Sequence, residues 1–278
     1  MRNGIITQRP FGLRLYLLVG FARSIWVNRY LAWEMAKREL RATMKGTILG
    51  IGWLILKPAI QTGAYIVIVS FIFSAKLGSS GSHFAYALYV LCGMAPWQFS
   101  TQVLQDAPTL IRSRIEILKQ VIYPLEILPI TSIVMASIAP LILFATYLLL
   151  AMISGELSWS LLLLPIPVAL LLTMLLGTSW LLMVVGLVFV DIREIIGVIF
   201  GLIVYMSPVV LAPSMVTPRI WGIIELNPLS HIVICFRDVF EAQLHPLSWG
   251  IFAAVTAVSI VLGMVGISGA KRIFSEYG

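Results

Sequence analysis

Charge is scarce in this 278-residue chain. Only 11% of its residues are Asp, Glu, Lys or Arg, where a soluble globular domain carries roughly one quarter. Hydrophobic residues make up 60%, and the mean hydropathy is +0.99. That balance excludes a soluble fold. Carboxylates are the rarer sign, with 12 Asp and Glu against 19 Lys and Arg. None falls inside a long apolar stretch, so the intramembrane acid that a proton relay needs is missing. The three histidines, His83, His231 and His245, are too scattered for a metal motif, and each is read as a surface residue. Two cysteines, Cys92 and Cys235, have no ligand spacing and read as small apolar fillers. The phosphate-cradling pattern G-x-x-x-x-G-K-[ST] does not occur, because "MKGT" at Met44 to Thr47 has the residues in the wrong arrangement. This chain cannot hydrolyse ATP by that device.

Long apolar runs are what the chain does have. A hydrocarbon core about 30 Å thick needs about 20 residues of helix, since no backbone polar group can stay unpaired in lipid. Six segments meet that length: 48–75, 84–104, 127–153, 161–190, 195–212 and 246–270. Only the first carries a charge, Lys57. Basic residues stay on the cytoplasmic side, and with the N-terminus inside, fifteen of the nineteen Lys and Arg fall inside. Lys76, Arg219 and Arg237 remain outside, so both termini are expected in the cytoplasm. The formal charge of +7 is then mostly membrane topology and requires no nucleic acid. The chain divides into an interfacial segment, 1–47, and a membrane domain, 48–278.

Arg14 and Arg23 interrupt "FGLRLYLLVGFARSIWV", which argues against a cleaved leader and for an amphipathic helix at the membrane surface. Further on, "KRELRATMKGTILGIGWLILKPAIQ" passes from charged to apolar without a turn signal. In "DAPTLIRSRIEILKQVIYP", Asp106 is placed to cap a helix with Pro108 in its first turn. Ile111, Ile115, Leu118 and Ile122 recur at helical spacing, with Arg112, Ser113, Glu116, Lys119 and Gln120 on the other arc. Such a helix either rests on lipid or offers a docking surface. Residues 207–246 hold Pro208, Pro213, Pro218, Pro228 and Pro246 between apolar pieces too short to span, which predicts short broken helices at the outer leaflet.

These pieces resemble a known family. "RELRATMKGTILGIGW", "GMAPWQF", "VIYPLEILP", "DIRE", "SPVV" and "NPL" followed by Arg237 occur in the order and spacing of the membrane permeases of polysaccharide-exporting ABC transporters, which move O-antigen, capsule or teichoic acid polymers. Lys57 stands before Pro58 where that family more usually has a small polar or amide residue, and Val190 precedes Asp191 where arginine is common.

The resemblance implies an all-α integral membrane protein with six transmembrane helices, an N-terminal interface helix and broken outer helices, in the bacterial inner membrane. It implies a homodimer paired with two copies of a cytoplasmic ATPase subunit, which would carry the ATP and Mg; this chain is expected to hold no cofactor, no metal and no catalytic residue. It assigns ATPase coupling to Arg38, Glu39, Arg41 and Lys45 and to the loop bearing Arg112, Glu116 and Lys119. It makes the first and fifth spans line the conduit.

Lys57, Gln61 and Tyr65 recur every four residues on one side of the first span. They face a wet interior, or Lys57 snorkels to the surface. Gly197 and Gly201 form a G-x-x-x-G pair with Tyr205 one turn on, a seam within one subunit or between two. Aromatic rings stack on the apolar faces of sugars, which nominates Trp53, Tyr65, Tyr86, Tyr89, Trp97 and Tyr205; a headgroup-belt role competes for Tyr86 and Trp97. Ser207, Pro208, Asn227, Pro228 and Arg237 form an outer gate or a structural cap.

Three functions fit: export of a lipid-linked polysaccharide, ABC transport of a small lipid or drug, or a membrane transferase acting on a polyprenyl-linked sugar. The transferase needs an acid or base among Glu156, Glu225, Asp238, Glu241 and the histidines.

Overall fold

Proline and glycine set where the helices begin and end. The computed structural model describes residues 20, 23–44, 48–50, 52–67, 83–114, 124–155 and 159–276, and holds helices and turns with no strand among them. The helices are α1 (Arg29–Met44), α2 (Gly52–Val67), α3 (His83–Asp106), α4 (Leu128–Ala136), α5 (Ile138–Ser154), α6 (Pro165–Val188), α7 (Ile192–Ile203), α8 (Pro218–Glu225), α9 (Pro228–Glu241) and α10 (Pro246–Glu276). Proline opens α6, α8, α9 and α10, where a missing N–H costs nothing. Pro140 has no N–H for the Ala136 carbonyl, and the helix breaks at Ser137 between α4 and α5. Gly155, at φ 74°, closes α5 in the left-handed conformation.

Helix α3 is the central element. Tyr86, Val90, Met94, Ala95 and Val103 are fully buried along it, and the core continues through Leu175 of α6, Phe236 of α9 and Phe252 of α10. Phe144 and Tyr147 of α5 meet Phe236 and Phe240, with ring centroids 5.8 Å and 4.3 Å apart. The most extensive pairing is α6 on α10. Gly177 and Gly263 let these two backbones touch: a Cβ on Gly263 would land on the Gly177 carbonyl, and one on Gly177 would lie 2.6 Å from the Ser259 backbone.

Three helical stretches among the described residues are long and apolar enough to cross a membrane: Leu125–Ile153, Trp159–Val188 and Pro246–Ala270. They coincide with the third, fourth and sixth segments of the sequence. The other three differ for physical reasons. Helix α2 gives the first segment as far as Val67; its remainder lies outside the described residues. The second segment is α3, whose first half is buried among the other helices and whose Gln98, Ser100, Thr101 and Gln102 dilute its apolar run. The fifth is α7 plus a single tighter turn, Val204–Met206, a reach of about 24 Å, after which Ser207 takes an extended conformation and the helix stops.

The charged-to-apolar switch does contain a turn. Residues 48–50 bend, Gly50 sits at φ 50°, and the Gly52 and Trp53 amides donate to the Leu49 and Gly50 carbonyls before α2 begins. The loop after α3 also departs from the expected amphipathic helix: Ala107–Thr109 and Arg112–Arg114 are separate 3-10 turns, and Asp106 caps neither end with its side chain. Pro108 cannot donate to an i−4 carbonyl, which favours the tighter turn. Residues 115–123, with Ile115, Glu116, Leu118, Lys119 and Ile122, lie outside the described residues, as do Lys45, Glu156 and most of the surface helix expected before α1.

Candidate functional site

Between α2, α3 and α7 the helices leave a cavity of about 700 Å³. Trp53, Lys57, Pro58 and Gln61 line it from α2, and Gly197, Phe200 and Gly201 from α7. Trp97, Gln98, Thr101, Gln102 and Gln105 line it from α3. Lys57, Gln61 and Trp53 are exposed, as are Ile55, Leu56 and Ile60 elsewhere on α2. Gln98 donates through Nε2 to Thr62 Oγ1 at 3.3 Å, tying α2 to α3. Tyr65 lies one turn further along α2; its side chain is outside the described set. Tyr205 is 54% exposed just past α7 and does not line the cavity.

The polar row on α3 was not singled out in the sequence. Thr101, Gln102 and Gln105 stand three, four and seven residues after Gln98, which is one helix face. That periodicity inside an otherwise apolar segment was the available signal.

At one end of the cavity the charges gather. Arg193, just inside α7, pairs with Asp106 at the end of α3, 3.3 Å apart. Arg112 donates to the Leu187 carbonyl at 3.3 Å and so caps the last turn of α6. Arg114 pairs with Glu39 of α1. Arg38 and Arg41 are exposed on α1, while Ala32 and Ala36 are buried, and α1 packs on α4. At the exposed start of α1, a hydrogen bond from Lys37 holds the Glu34 carboxyl below its usual range. Four residues assigned to coupling, Arg38, Glu39, Arg41 and Arg112, therefore lie on elements of this basic end. Reversing Arg114 to Glu should cost about 1 kcal/mol of stability and be largely recovered with Glu39→Arg, read as a double-mutant cycle in thermal melts; additive losses would dissociate the pair from α1 docking.

Toward the other end of α3 lies Arg237. It is 6% exposed, and its guanidinium lies 3.2 Å over the Tyr89 ring. Its Nη2 donates to the carbonyls of Tyr89 and Val209, each at 3.2 Å. The Tyr86 and Tyr89 hydroxyls donate to Val210 and Leu211, each at 2.9 Å. Together they satisfy three consecutive carbonyls of the non-helical run after α7. Ser207 donates to Val204 and accepts from the Val209 amide, while Pro208 is buried beside it. Gly93 makes room, since a Cβ there would lie 3.1 Å from both Arg237 Nη2 and Val209 Cα. Asn227 accepts from the Leu229 amide to cap α9, and Pro228 is its first residue.

Some nominated residues change role. Tyr86 and Tyr89 are 0% and 6% exposed, spend their hydroxyls on the run after α7 and are not part of this lining; burial also removes Tyr86 from a headgroup belt. Trp97 is likewise 5% exposed, against Phe200 with centroids 5.9 Å apart. Gly197 receives the Gln105 amide, so this glycine serves packing between α7 and α3 within one chain. His231 is buried rather than at the surface, 3.0 Å from Ser248. Cys92 and Cys235 are buried and unbonded.

Two of the outer acids have local hydrogen-bond partners, and Glu241 is exposed at the end of α9. Asp238 is 3% exposed and accepts from the His245 amide and the Trp249 indole, each at 2.8 Å, with His245 Nδ1 at 2.5 Å. Glu225 accepts from Trp221 at 2.8 Å. No metal-capable cluster occurs among the described residues.

The chain has relatives of known name. It is 24% identical over 249 residues to an O-antigen export system permease protein, RfbA, of Myxococcus xanthus, covering 88% of this chain and 93% of the relative. It is 20% identical over 239 residues to the Klebsiella pneumoniae protein of the same name, covering 84% and 88%. Residues 30–240 match the ABC-2 type transporter family. That match runs from α1 to α9 and takes in the cavity, and the protein is therefore an integral membrane permease of the ABC-2 type transporter family.

Proposed function

We propose that this permease is the channel-forming subunit of an ATP-driven exporter that carries lipid-linked polysaccharide from the cytoplasm to the outer side of the bacterial inner membrane. The observation that carries the reading is the lining of the cavity. Side-chain amides and hydroxyls of Gln61, Gln98, Thr101, Gln102 and Gln105 line it together with the exposed ring of Trp53. A sugar polymer needs that mixture, since hydroxyls exchange hydrogen bonds from one amide to the next while ring faces slide over indoles. The relatives' names point the same way. Asp238 is committed to the His245 amide and ring and to the Trp249 indole, which weighs against its use as a transferase acid.

Both termini lie in the cytoplasm in this reading, with the basic end against the inner leaflet. Two copies of an ATPase subunit, carrying ATP and Mg, dock on α1 and on the loop from Arg112 through Glu116 and Lys119, with Arg38, Glu39, Arg41 and Lys45 at the contact. Two copies of the permease meet along α7, whose Ile195, Val198, Ile199 and Leu202 are exposed and apolar. The outer gate comprises Ser207, Pro208, Asn227, Pro228 and Arg237, and Lys57, Gln61, Trp53, Tyr65 and Tyr205 border the passage.

Reconstitution with a co-expressed cytoplasmic ATPase tests this. Hydrolysis in proteoliposomes should rise several-fold when lipid-linked polysaccharide is added, and Arg112→Glu should lower that response about ten-fold without loss of permease. A permease that recruits no ATPase in any lipid would sink the assignment.

A further inference from the structure

The loop after α3 is wedged against α6 rather than lying free on it. A Cβ on Gly186, in the last turn of α6, would land on the Pro108 carbonyl, so the two backbones touch there and no side chain can yield between them. Arg112 donates to the Leu187 carbonyl one residue further on. Leu110 and Ile111 are buried in a second core with Trp180 and Met183 of α6 and Ile267 of α10. On the other side of the same loop, Asp106 pairs with Arg193, and the Gln105 amide fills the space that a Cβ on Gly197 would take. Gly186 and Arg193 flank the three-residue turn, 189–191, that joins α6 to α7. Residues 105–112 therefore grip that turn from both sides, while Gly177 and Gly263 lock α6 to α10 by the same kind of backbone contact.

We propose that this grip joins the loop after α3, the α6–α10 pair and the start of α7 into one mechanical unit, with Gly186 as its positioning residue. A push on the loop then tilts α6 and α10 together and swings α7, the wall of the cavity that bears Gly197, Phe200 and Gly201. Packed backbones move as blocks rather than deform continuously, so a small displacement of the loop is delivered to the cavity wall instead of being absorbed on the way. Gly186 is not part of the cavity lining; it acts by fixing where the loop sits. The joint rests on the exporter reading for the source of the push, while its rigidity stands on the contacts alone.

The test uses the full-length permease in nanodiscs, with Cys92→Ala and Cys235→Ala as background and nitroxide labels on Ser113→Cys and Val188→Cys, two exposed positions on either side of the wedge. Double electron–electron resonance should give one narrow distance for this parent and a shifted or broadened one for Gly186→Ala. Gly269→Ala should keep the parent's distance, since its Cβ meets nothing within 4 Å. In proteoliposomes with the co-expressed ATPase, Gly186→Ala should recruit the ATPase and keep basal hydrolysis, while the response of each recruited complex to lipid-linked polysaccharide falls about ten-fold. A role in folding alone would lower recruitment and leave the response of each complex unchanged, and that result overturns the proposal. Leu110→Ala loosens the same joint without adding an atom to it and should move distance and response in the same direction, which keeps the test open if Gly186→Ala does not accumulate. An unchanged label distance in both variants also overturns the joint. If polymer-stimulated hydrolysis stays at the parent's level in both variants, the joint falls and the exporter stands. If the parent recruits no ATPase yet the label distance shifts in Gly186→Ala, the exporter reading falls and the joint stands.

Discussion

Replacing Arg237 with Met should destabilise the folded permease by about 3 kcal/mol, seen as a fall of several degrees in the melting temperature of the detergent-purified protein. The side chain is buried, and its loss strands the Val209 carbonyl away from water while removing the cation from the face of Tyr89. An orphaned buried acceptor costs about 1–3 kcal/mol, and a desolvated cation–π contact adds up to about 2. Arg237→Lys should recover only part of this, because one ammonium does not reproduce a planar guanidinium stacked on a ring and donating to two carbonyls. Tyr86→Phe and Tyr89→Phe each remove one hydrogen bond to the same run and should cost about 1 kcal/mol. A melting temperature within one degree of wild type for Arg237→Met would show that residues 207–211 are held by apolar packing alone.

The second large effect is expected at Gly263. A leucine there places its Cβ on the backbone carbonyl of Gly177, at the tightest crossing of the most extensive helix pair. Backbone cannot rotate away as a side chain can, so α6 and α10 must separate along their length and the buried contacts of Phe252 and Leu175 go with them. The loss should exceed about 3 kcal/mol and appear as failure to accumulate in the membrane. Gly269→Leu is the matched control on the same helix, since nothing lies within 4 Å of its added Cβ. It should accumulate like wild type. Equal yields from both variants would mean that α6 and α10 are not in backbone contact.

These two sites show different degrees of legibility. An α-helical membrane protein follows from composition alone, because lipid demands internally satisfied backbone and the apolar runs are long enough to supply it. Three runs at 127–153, 161–190 and 246–270 correspond to long apolar helices for that reason. Proline marked the broken segment after α7, because its missing N–H acts locally. The face carrying Lys57 and Gln61 was readable from helical spacing, and the structure puts both beside the cavity. The polar row of α3 was equally periodic but was diluted by the apolar residues around it.

Arg237 was not legible in this way. A charge count assigns it to a side of the membrane by its place between two spans, whereas its burial depends on Gly93, Tyr89 and Val209, residues as far as 148 positions away. Asp106 read as a local cap, yet its partner is Arg193, 87 residues on. What the amino-acid order determined by itself was every property that acts within a few turns of the chain: helix-forming runs, breaks, faces and the excess of basic residues. Which buried carbonyl meets which distant donor, and which glycine admits which backbone, was decided only by the tertiary structure, because those partners are chosen by how the helices cross.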